Sequence, residues 1–71
     1  MIIIRVVGND GKGVNYSKVQ ITWSDGHWSH QVTDSNGYVR FDGEGQGVVY
    51  VDGRVVLNEY LRGQYTVLGS H

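Results

Sequence analysis

Short runs of alternating hydrophobic and polar residues, separated by glycine-rich turns, extend along most of this chain. From Val19 to Trp23 the apolar residues fall at every second position, which places them on one face of a β-strand. The β-branched run Ile2–Val7 predicts a further strand, and it ends at the turn-forming segment Gly8–Gly13. Repetition of this pattern predicts an all-β fold with about seven short strands and no substantial helix.

Asp25 and Gly26 are typical of the two-residue turn of a β-hairpin. With this turn, Trp23 faces Trp28 across the hairpin, and the polar residues of both strands share the opposite face. A slip of one residue would mix the two faces, so the pattern favours this register. We therefore expect the two tryptophans to form a stabilising cross-strand pair in the core.

The segment Val32–Phe41 predicts two strands joined by a tight turn. Asp34 and Asn36 have short side chains that hydrogen-bond to nearby backbone, and Gly37 adopts a positive φ without steric cost. The side chains after this turn alternate between two faces, with Val39 and Phe41 on one and Tyr38 and Arg40 on the other.

A further hairpin is predicted over residues 48–57, with Asp52 and Gly53 as its turn. Both of its faces are largely apolar, and the chain offers no helix to cover the second face. We expect one face to pack in the core and the other to meet the C-terminal residues 65–68 or a neighbouring subunit. The interface predicted from this pattern comprises Val49, Val51, Arg54, Val56 and Tyr65.

The chain has 71 residues, which predicts a single domain over residues 1–68 with residues 69–71 as a disordered tail. A domain of this size buries only about 60% of the surface that its unfolded chain exposes. Small domains therefore add disulfides, a metal or a second subunit. Because the sequence contains no cysteine, a second subunit is the reinforcement that we expect.

The net charge of −1 and the dispersed lysines and arginines give no electrostatic reason to expect nucleic acid or an anionic membrane as a partner. No apolar run approaches the roughly 18 residues of a membrane span. Met1–Ile4 is too short for the core of a signal peptide. If Met1 is the native start, these features predict a cytoplasmic protein.

Gly11-Lys12-Gly13-Val14 is followed by the alternating strand that contains Val19, and then by the hairpin segment Thr33–Phe41. Over Val6–Phe41 this order resembles the transthyretin-like, carboxypeptidase regulatory-type module, with Gly13 where a proline is usual. The resemblance implies a small antiparallel Greek-key β-sandwich. It also implies an accessory module that binds, spaces or stabilises, and it carries over no catalytic residue.

Two groups of residues are candidate metal sites. His30 is predicted opposite Ile21 on the apolar face, but His27 lies an odd number of residues away and points to the opposite side of the strand. Zinc needs three or four converging donors, so a structural histidine is favoured over a metal-dependent protein centred on His30. Weak calcium binding by Asp34, Asp42 and Glu44 is the other option, although turn hydrogen bonds explain these residues without an ion. We expect neither metal nor cofactor.

The sequence offers no pattern typical of catalysis. None of the serines lies in a Gly-x-Ser-x-Gly motif, and a thiol nucleophile is excluded. The glycines at 43, 45 and 47 do not precede a helix, as a phosphate-binding loop requires, and are interpreted as a mobile turn. We therefore expect the protein not to be an enzyme.

The sequence favours a structural or protein-interaction module that self-associates through its apolar hairpin face, or that binds another protein there. The alternative is a carbohydrate- or peptide-binding accessory module that uses Tyr38 and Arg40, because exposed tyrosine and arginine are favoured at binding surfaces.

Overall fold

Seven β-strands in two sheets make up the chain in the computed structural model, which describes residues 1–69. No helix occurs among these residues, so the predicted all-β fold with about seven strands is confirmed. The strands are β1 (Ile2–Val7), β2 (Lys18–Trp23), β3 (Trp28–Val32), β4 (Tyr38–Phe41), β5 (Gly45–Val51), β6 (Arg54–Leu61) and β7 (Gly63–Leu68).

The first sheet has the strand order β4-β1-β7 and the second has the order β3-β2-β5-β6. Every neighbouring pair is antiparallel except β1 and β7, which are parallel. The expectation of a purely antiparallel fold is therefore wrong for this one pair. Parallel neighbours need a long connection between them, and here the second sheet is part of that connection.

The core lies between the two sheets and takes alternate side chains from strands of both. In β1, for example, Ile2, Ile4 and Val6 are fully buried, while Ile3 and Arg5 between them are only half-buried. The core cluster comprises Ile2, Ile4, Val6, Val19, Ile21, Val39, Phe41, Val49, Val51, Leu61 and Val67. Burial of these aliphatic groups is the main force that holds the sheets together.

The β2–β3 hairpin has a three-residue loop, 24–26, and not the predicted two-residue turn. The Trp23 carbonyl accepts a bond from Gly26 N–H at 3.0 Å, and Trp23 N–H donates to the His27 carbonyl at 2.7 Å. Gly26 has φ 93°, the left-handed conformation that closes such a loop. This shifts the register by one residue, so that Trp28 pairs with Thr22. The predicted pairing of Trp23 with Trp28 is wrong, and the two rings lie on opposite faces.

The β5–β6 hairpin turns at Asp52 and Gly53 as predicted, with φ values of 51° and 85°. The pairs adjacent to the turn also agree with the prediction, Tyr50 with Val55 and Val51 with Arg54. Beyond them a β-bulge at Val56 adds one residue to β6. Val49 consequently pairs with Leu57 and Val48 with Asn58.

The turn between β3 and β4 is held by Asp34. Its carboxylate accepts hydrogen bonds from the N–H groups of Asn36 at 2.9 Å and Tyr38 at 3.0 Å. Gly37 has φ 87°, and a Cβ atom at this position would lie 2.3 Å from the Val6 carbonyl oxygen. The predicted roles of Asp34 and Gly37 in the turn are therefore confirmed, and the absence of a side chain at Gly37 allows the turn to lie close to β1.

A buried threonine connects this turn to the loop before β2. The Thr33 hydroxyl donates to the Val14 carbonyl at 2.6 Å and accepts from Ser17 N–H at 2.8 Å. The Ser17 hydroxyl in turn donates to an Asp52 carboxylate oxygen at 2.7 Å. These bonds tie three loops together at one end of the molecule.

The predicted tail falls almost entirely outside the described residues. Ser70 and His71 lie beyond them, whereas Gly69 donates its N–H to the Val7 carbonyl at 2.7 Å.

Candidate interaction surfaces

The second sheet has one face that no other element of residues 1–69 covers, and we call it the outer sheet face. Residues paired across neighbouring strands point to the same side of a sheet, so the register defines its members. They are Lys18, Gln20 and Thr22 of β2; Trp28, His30 and Val32 of β3; Gln46, Val48 and Tyr50 of β5; and Val55, Asn58 and Tyr60 of β6.

The outer sheet face combines exposed apolar and aromatic side chains with a near absence of charge. Trp28 is 60% exposed and Val55 is 53% exposed, and Val32 and Tyr60 are also exposed. Lys18, at one margin, is its one formally charged member, although charged residues form 18% of the chain. Aromatic enrichment together with charge depletion is the composition that distinguishes the centre of protein interfaces.

The aromatic rings of β3 are ordered against each other on this face. The Trp28 and His30 rings stack with centroids 5.5 Å apart and an interplanar angle of 21°. They are neighbours because residues two apart in a strand share a face. The sequence prediction had placed His30 opposite Ile21 on the core side, but it pairs with Gln20 and is exposed.

The structure distributes the interface residues predicted from the sequence over different environments. Val49 and Val51 are 0% and 1% exposed and belong to the core, which corrects their assignment to an interface. Val56 at the bulge packs against the core cluster, and Arg54 is exposed beside the turn. Tyr65 is half-buried in β7. The apolar hairpin residues that do reach the surface are Val48, Tyr50, Val55 and Tyr60.

Tyr65 has a structural environment that its sequence position did not indicate. Its hydroxyl accepts the Arg62 N–H at 2.9 Å and donates to the Tyr60 carbonyl at 3.3 Å. The side chain thus closes the connection between β6 and β7, and its polar group is used within the chain.

A groove of about 480 Å³ runs between β3 and β4 and continues over the first sheet. It contains both members of the predicted ligand face, Tyr38 and Arg40. The remaining polar lining comes from Gln31, Asp34 and Gln64, and the apolar lining from Ile3, Val32 and Val39. We call this feature the β4 groove, and its volume lies within the usual range for small-molecule sites.

Tyr38 in the β4 groove is held from the side of β1. The Arg5 guanidinium lies 5.3 Å from the centre of the Tyr38 ring, which is a cation–π arrangement. Arg5 Nε also donates to the Asn36 carbonyl at 3.2 Å. Arg5 was not identified from the sequence as a site residue. Its position opposite Tyr38 follows from the β1–β4 register.

The turn lowers the pKa of the carboxyl group at the margin of the groove. Hydrogen bonds from the backbone of Tyr38 and Asn36 hold the pKa of Asp34 below its ordinary value of 3.8, and the Arg40 charge adds a smaller effect in the same direction. Asp34 and Arg40 line the same groove, which presents a carboxylate and a guanidinium together.

A second concavity of about 350 Å³ lies between the β2–β3 loop and the β4–β5 loop. Trp23 forms its aromatic wall, and Asp25, His27, Asp42 and Glu44 contribute polar groups. His27 Nδ1 lies 2.9 Å from an Asp25 carboxylate oxygen, and this side-chain hydrogen bond is the main cause that lowers the pKa of Asp25.

Gly45 and Gly47 give the Trp23 indole its place beside β5. A Cβ atom on Gly47 would lie 3.3 Å from the indole and 3.1 Å from Leu61. Both glycines belong to strand β5, so their interpretation as a mobile turn is wrong. At Gly47 a larger residue would crowd the indole and Leu61, whereas at Gly45 the nearest indole atom is 3.9 Å from the position of a Cβ atom.

The residues weighed as metal ligands are separated in the structure. Asp34 lines the β4 groove, whereas Asp42 and Glu44 line the concavity beside Trp23. His27 pairs with Asp25, and His30 stacks on Trp28. Within residues 1–69, no group of three or more histidine, aspartate or glutamate side chains is positioned to hold a metal ion.

No protein-family model, no curated protein and no solved structure matches this chain. Among the residues that the structure describes, no helix has the length and apolar character needed to cross a membrane.

Proposed function

We propose that this protein is a non-enzymatic interaction module that self-associates through the outer sheet face. The proposal rests on a nearly uncharged surface on which Trp28, Val55 and Tyr60 are exposed and Val48 and Tyr50 are half-buried. Apolar surface of this kind usually marks an interaction site. The resemblance to transthyretin-like modules, which bind or space and do not catalyse, is in keeping with this function.

A second copy is the partner that the surface fits best. Both contacting faces would be nearly neutral, so two copies bring little like charge together. In a dimer with two-fold symmetry, both copies contribute the same surface patch to the interface. Two sheets can pack face to face in such a dimer, because the side chains of the two faces interdigitate.

The size of the face sets the expected strength of the contact. A seven-residue strand is about 23 Å long, and four strands are about 19 Å wide, so the two copies together would bury roughly 900 Å² of projected area. This is below the roughly 1,200 Å² or more that stable, specific interfaces typically bury, and it lies in the range of weak, transient contacts. We therefore expect a reversible association that depends on protein concentration.

The test compares two matched lysine substitutions. Val55→Lys adds a charge to the outer sheet face, whereas Leu68→Lys adds one at a similarly exposed residue (60%) of the other sheet. Sedimentation velocity should show that Val55→Lys shifts the protein to monomer and that Leu68→Lys does not. Equal behaviour of the two folded variants would contradict the proposal.

The β4 groove favours a second candidate function, the binding of a carbohydrate. Amide, carboxylate and guanidinium groups from Gln31, Asp34, Arg40 and Gln64 line the groove together with Tyr38, and such groups form paired hydrogen bonds with hydroxyls. A glycan array would test it. Reproducible binding that Arg40→Ala abolishes and Tyr16→Ala preserves would support this function, and no binding would count against it.

A further inference from the structure

Strand β3 lies at the edge of the second sheet and has an unpaired side. All five of its residues are exposed, and its one neighbour in the sheet is β2. The bond from Trp23 N–H to the His27 carbonyl sets which residues of β3 bond to β2. Because the pattern alternates, the N–H and C=O groups of residues 28, 30 and 32 point away from β2.

This edge lacks the features by which sheets avoid pairing with another chain. Such features are charged side chains, prolines, bulges and covering groups. Trp28–Val32 contains no lysine, arginine, aspartate, glutamate or proline, and its register with β2 is regular.

Two other sheet edges are protected. On β4, Asp34 N–H donates to the Tyr38 carbonyl at 3.1 Å and the Asp34 carboxylate accepts Tyr38 N–H, which occupies the outward backbone groups of Tyr38. On β6, the bulge at Val56 interrupts the edge, and Arg54 and Glu59 place charges along it. β7 is uncharged like β3, and the experiment below separates these two edges.

We propose that β3 pairs antiparallel with β3 of a second copy, with His30 opposite its counterpart on the two-fold axis. In this register the outward groups of residues 28, 30 and 32 form about six hydrogen bonds. Trp28 of each copy faces Val32 of the other, an aromatic–β-branched pair that stabilises adjacent strands. The sequence of β3 is thus self-complementary about His30.

This inference extends the proposed self-association and uses the backbone edge of β3, whereas the proposed interface uses the side chains of the outer sheet face, to which Trp28, His30 and Val32 also belong. Pairing along β3 leaves the outer sheet face free, so the two contacts are compatible. If the contact through the outer sheet face and the pairing of β3 both form, the mass of the protein at high concentration exceeds that of a dimer.

Cysteine cross-linking tests the register directly, because the chain has no cysteine of its own. Across the proposed two-fold axis the two residues at position 30 lie about 5.5 Å apart in Cα distance, within the range of a disulfide. His30→Cys should therefore form a disulfide-linked dimer about tenfold faster than His27→Cys, since pairing raises the effective concentration of the two thiols. Equal rates for the two variants would overturn the proposal.

A proline substitution tests the edge without disturbing the sheet. His30 N–H points away from β2, so His30→Pro removes an outward donor and keeps the bonds within the chain. Circular dichroism should show a folded protein, and sedimentation should show a lower mass than that of the wild type. A cysteine at Thr66 of β7 provides the control for the other uncharged edge, and faster cross-linking there than at position 30 would overturn the assignment to β3.

The two proposals fail in different ways. A mass that falls in Val55→Lys and is unchanged in His30→Pro overturns the β3 pairing and leaves the outer sheet face intact as the interface. A mass that falls in His30→Pro and is unchanged in Val55→Lys overturns the proposed interface on the outer sheet face and supports the pairing of β3. A wild-type monomer at all concentrations overturns both.

Discussion

Asp34 forms two hydrogen bonds with Tyr38 across the β3–β4 turn. Its backbone N–H donates to the Tyr38 carbonyl at 3.1 Å, and its carboxylate accepts the Tyr38 N–H at 3.0 Å. The same carboxylate accepts the Asn36 N–H, so one side chain satisfies two amides of the turn. This pairing fixes the beginning of β4 and the position of Tyr38 in the β4 groove.

The lowered pKa of Asp34 predicts a specific acid dependence of stability. A carboxyl group whose pKa is lower in the folded state stabilises the fold above its unfolded pKa, near 3.8, and this stabilisation is lost as the pH falls through the folded value. Asp34→Asn keeps an acceptor oxygen but removes the charge. Urea unfolding at pH values from 7 to 2 should show that the free energy of unfolding falls less in Asp34→Asn than in the wild type. An identical fall in the two proteins would contradict this role of Asp34.

Gly37 should tolerate substitution much less well than Gly11. Both have a positive φ, but a Cβ atom at Gly11 meets nothing within 4 Å, whereas one at Gly37 lies 2.3 Å from the Val6 carbonyl oxygen. Gly11→Ala should cost about 1 kcal/mol from backbone strain alone. Gly37→Ala should cost about 3 kcal/mol or more, because β1 or the turn must move. Equal unfolding free energies of the two variants would contradict the close approach.

The two tryptophans should differ in their access to solvent. Trp28 is 60% exposed on the outer sheet face, and Trp23 is partly buried against Gly45 and Gly47. Acrylamide should therefore quench the fluorescence of Trp23→Phe, which retains Trp28, more strongly than that of Trp28→Phe. Measurement at the lowest workable protein concentration avoids protection by association. Equal quenching would contradict the observed register and favour the two-residue loop, because that loop places both tryptophans on the same face of the hairpin.

Adjacent positions of β5 should respond differently to the introduction of a charged side chain. Val49 is fully buried, so Val49→Lys places an unpaired ammonium in the core and should cost about 4 kcal/mol or more. Val48 lies on the outer sheet face, and Val48→Lys should leave the fold intact. Circular dichroism of the two variants measures this contrast, and a folded Val49→Lys would show that β5 has the opposite orientation.

The sequence predicted the local features of this fold better than the non-local ones. The turns at Asp34–Gly37 and Asp52–Gly53 depend on residues within a few positions of each other, and both occur as expected. The parallel pairing of β1 with β7 joins the two ends of the described chain and has no local signal. The β-bulge at Val56 is likewise set by packing against the core.

The register of the β2–β3 hairpin could not be predicted from the pattern of apolar and polar residues. β3 is an edge strand whose residues are all exposed, so neither face of it is required to be apolar. A two-residue and a three-residue loop therefore fit the pattern almost equally, although they place Trp28 on opposite faces. The same limit applied to the β5–β6 hairpin, where both faces are apolar and the sequence did not indicate which one enters the core.

Self-association of the protein can be tested by measuring its mass in solution. Light scattering on a sizing column should be measured at several concentrations, from sub-micromolar to high micromolar. We predict a mass that rises with concentration above the 7.9 kDa of one chain. A constant mass of 7.9 kDa at every concentration would contradict self-association and leave the β4 groove as the candidate site.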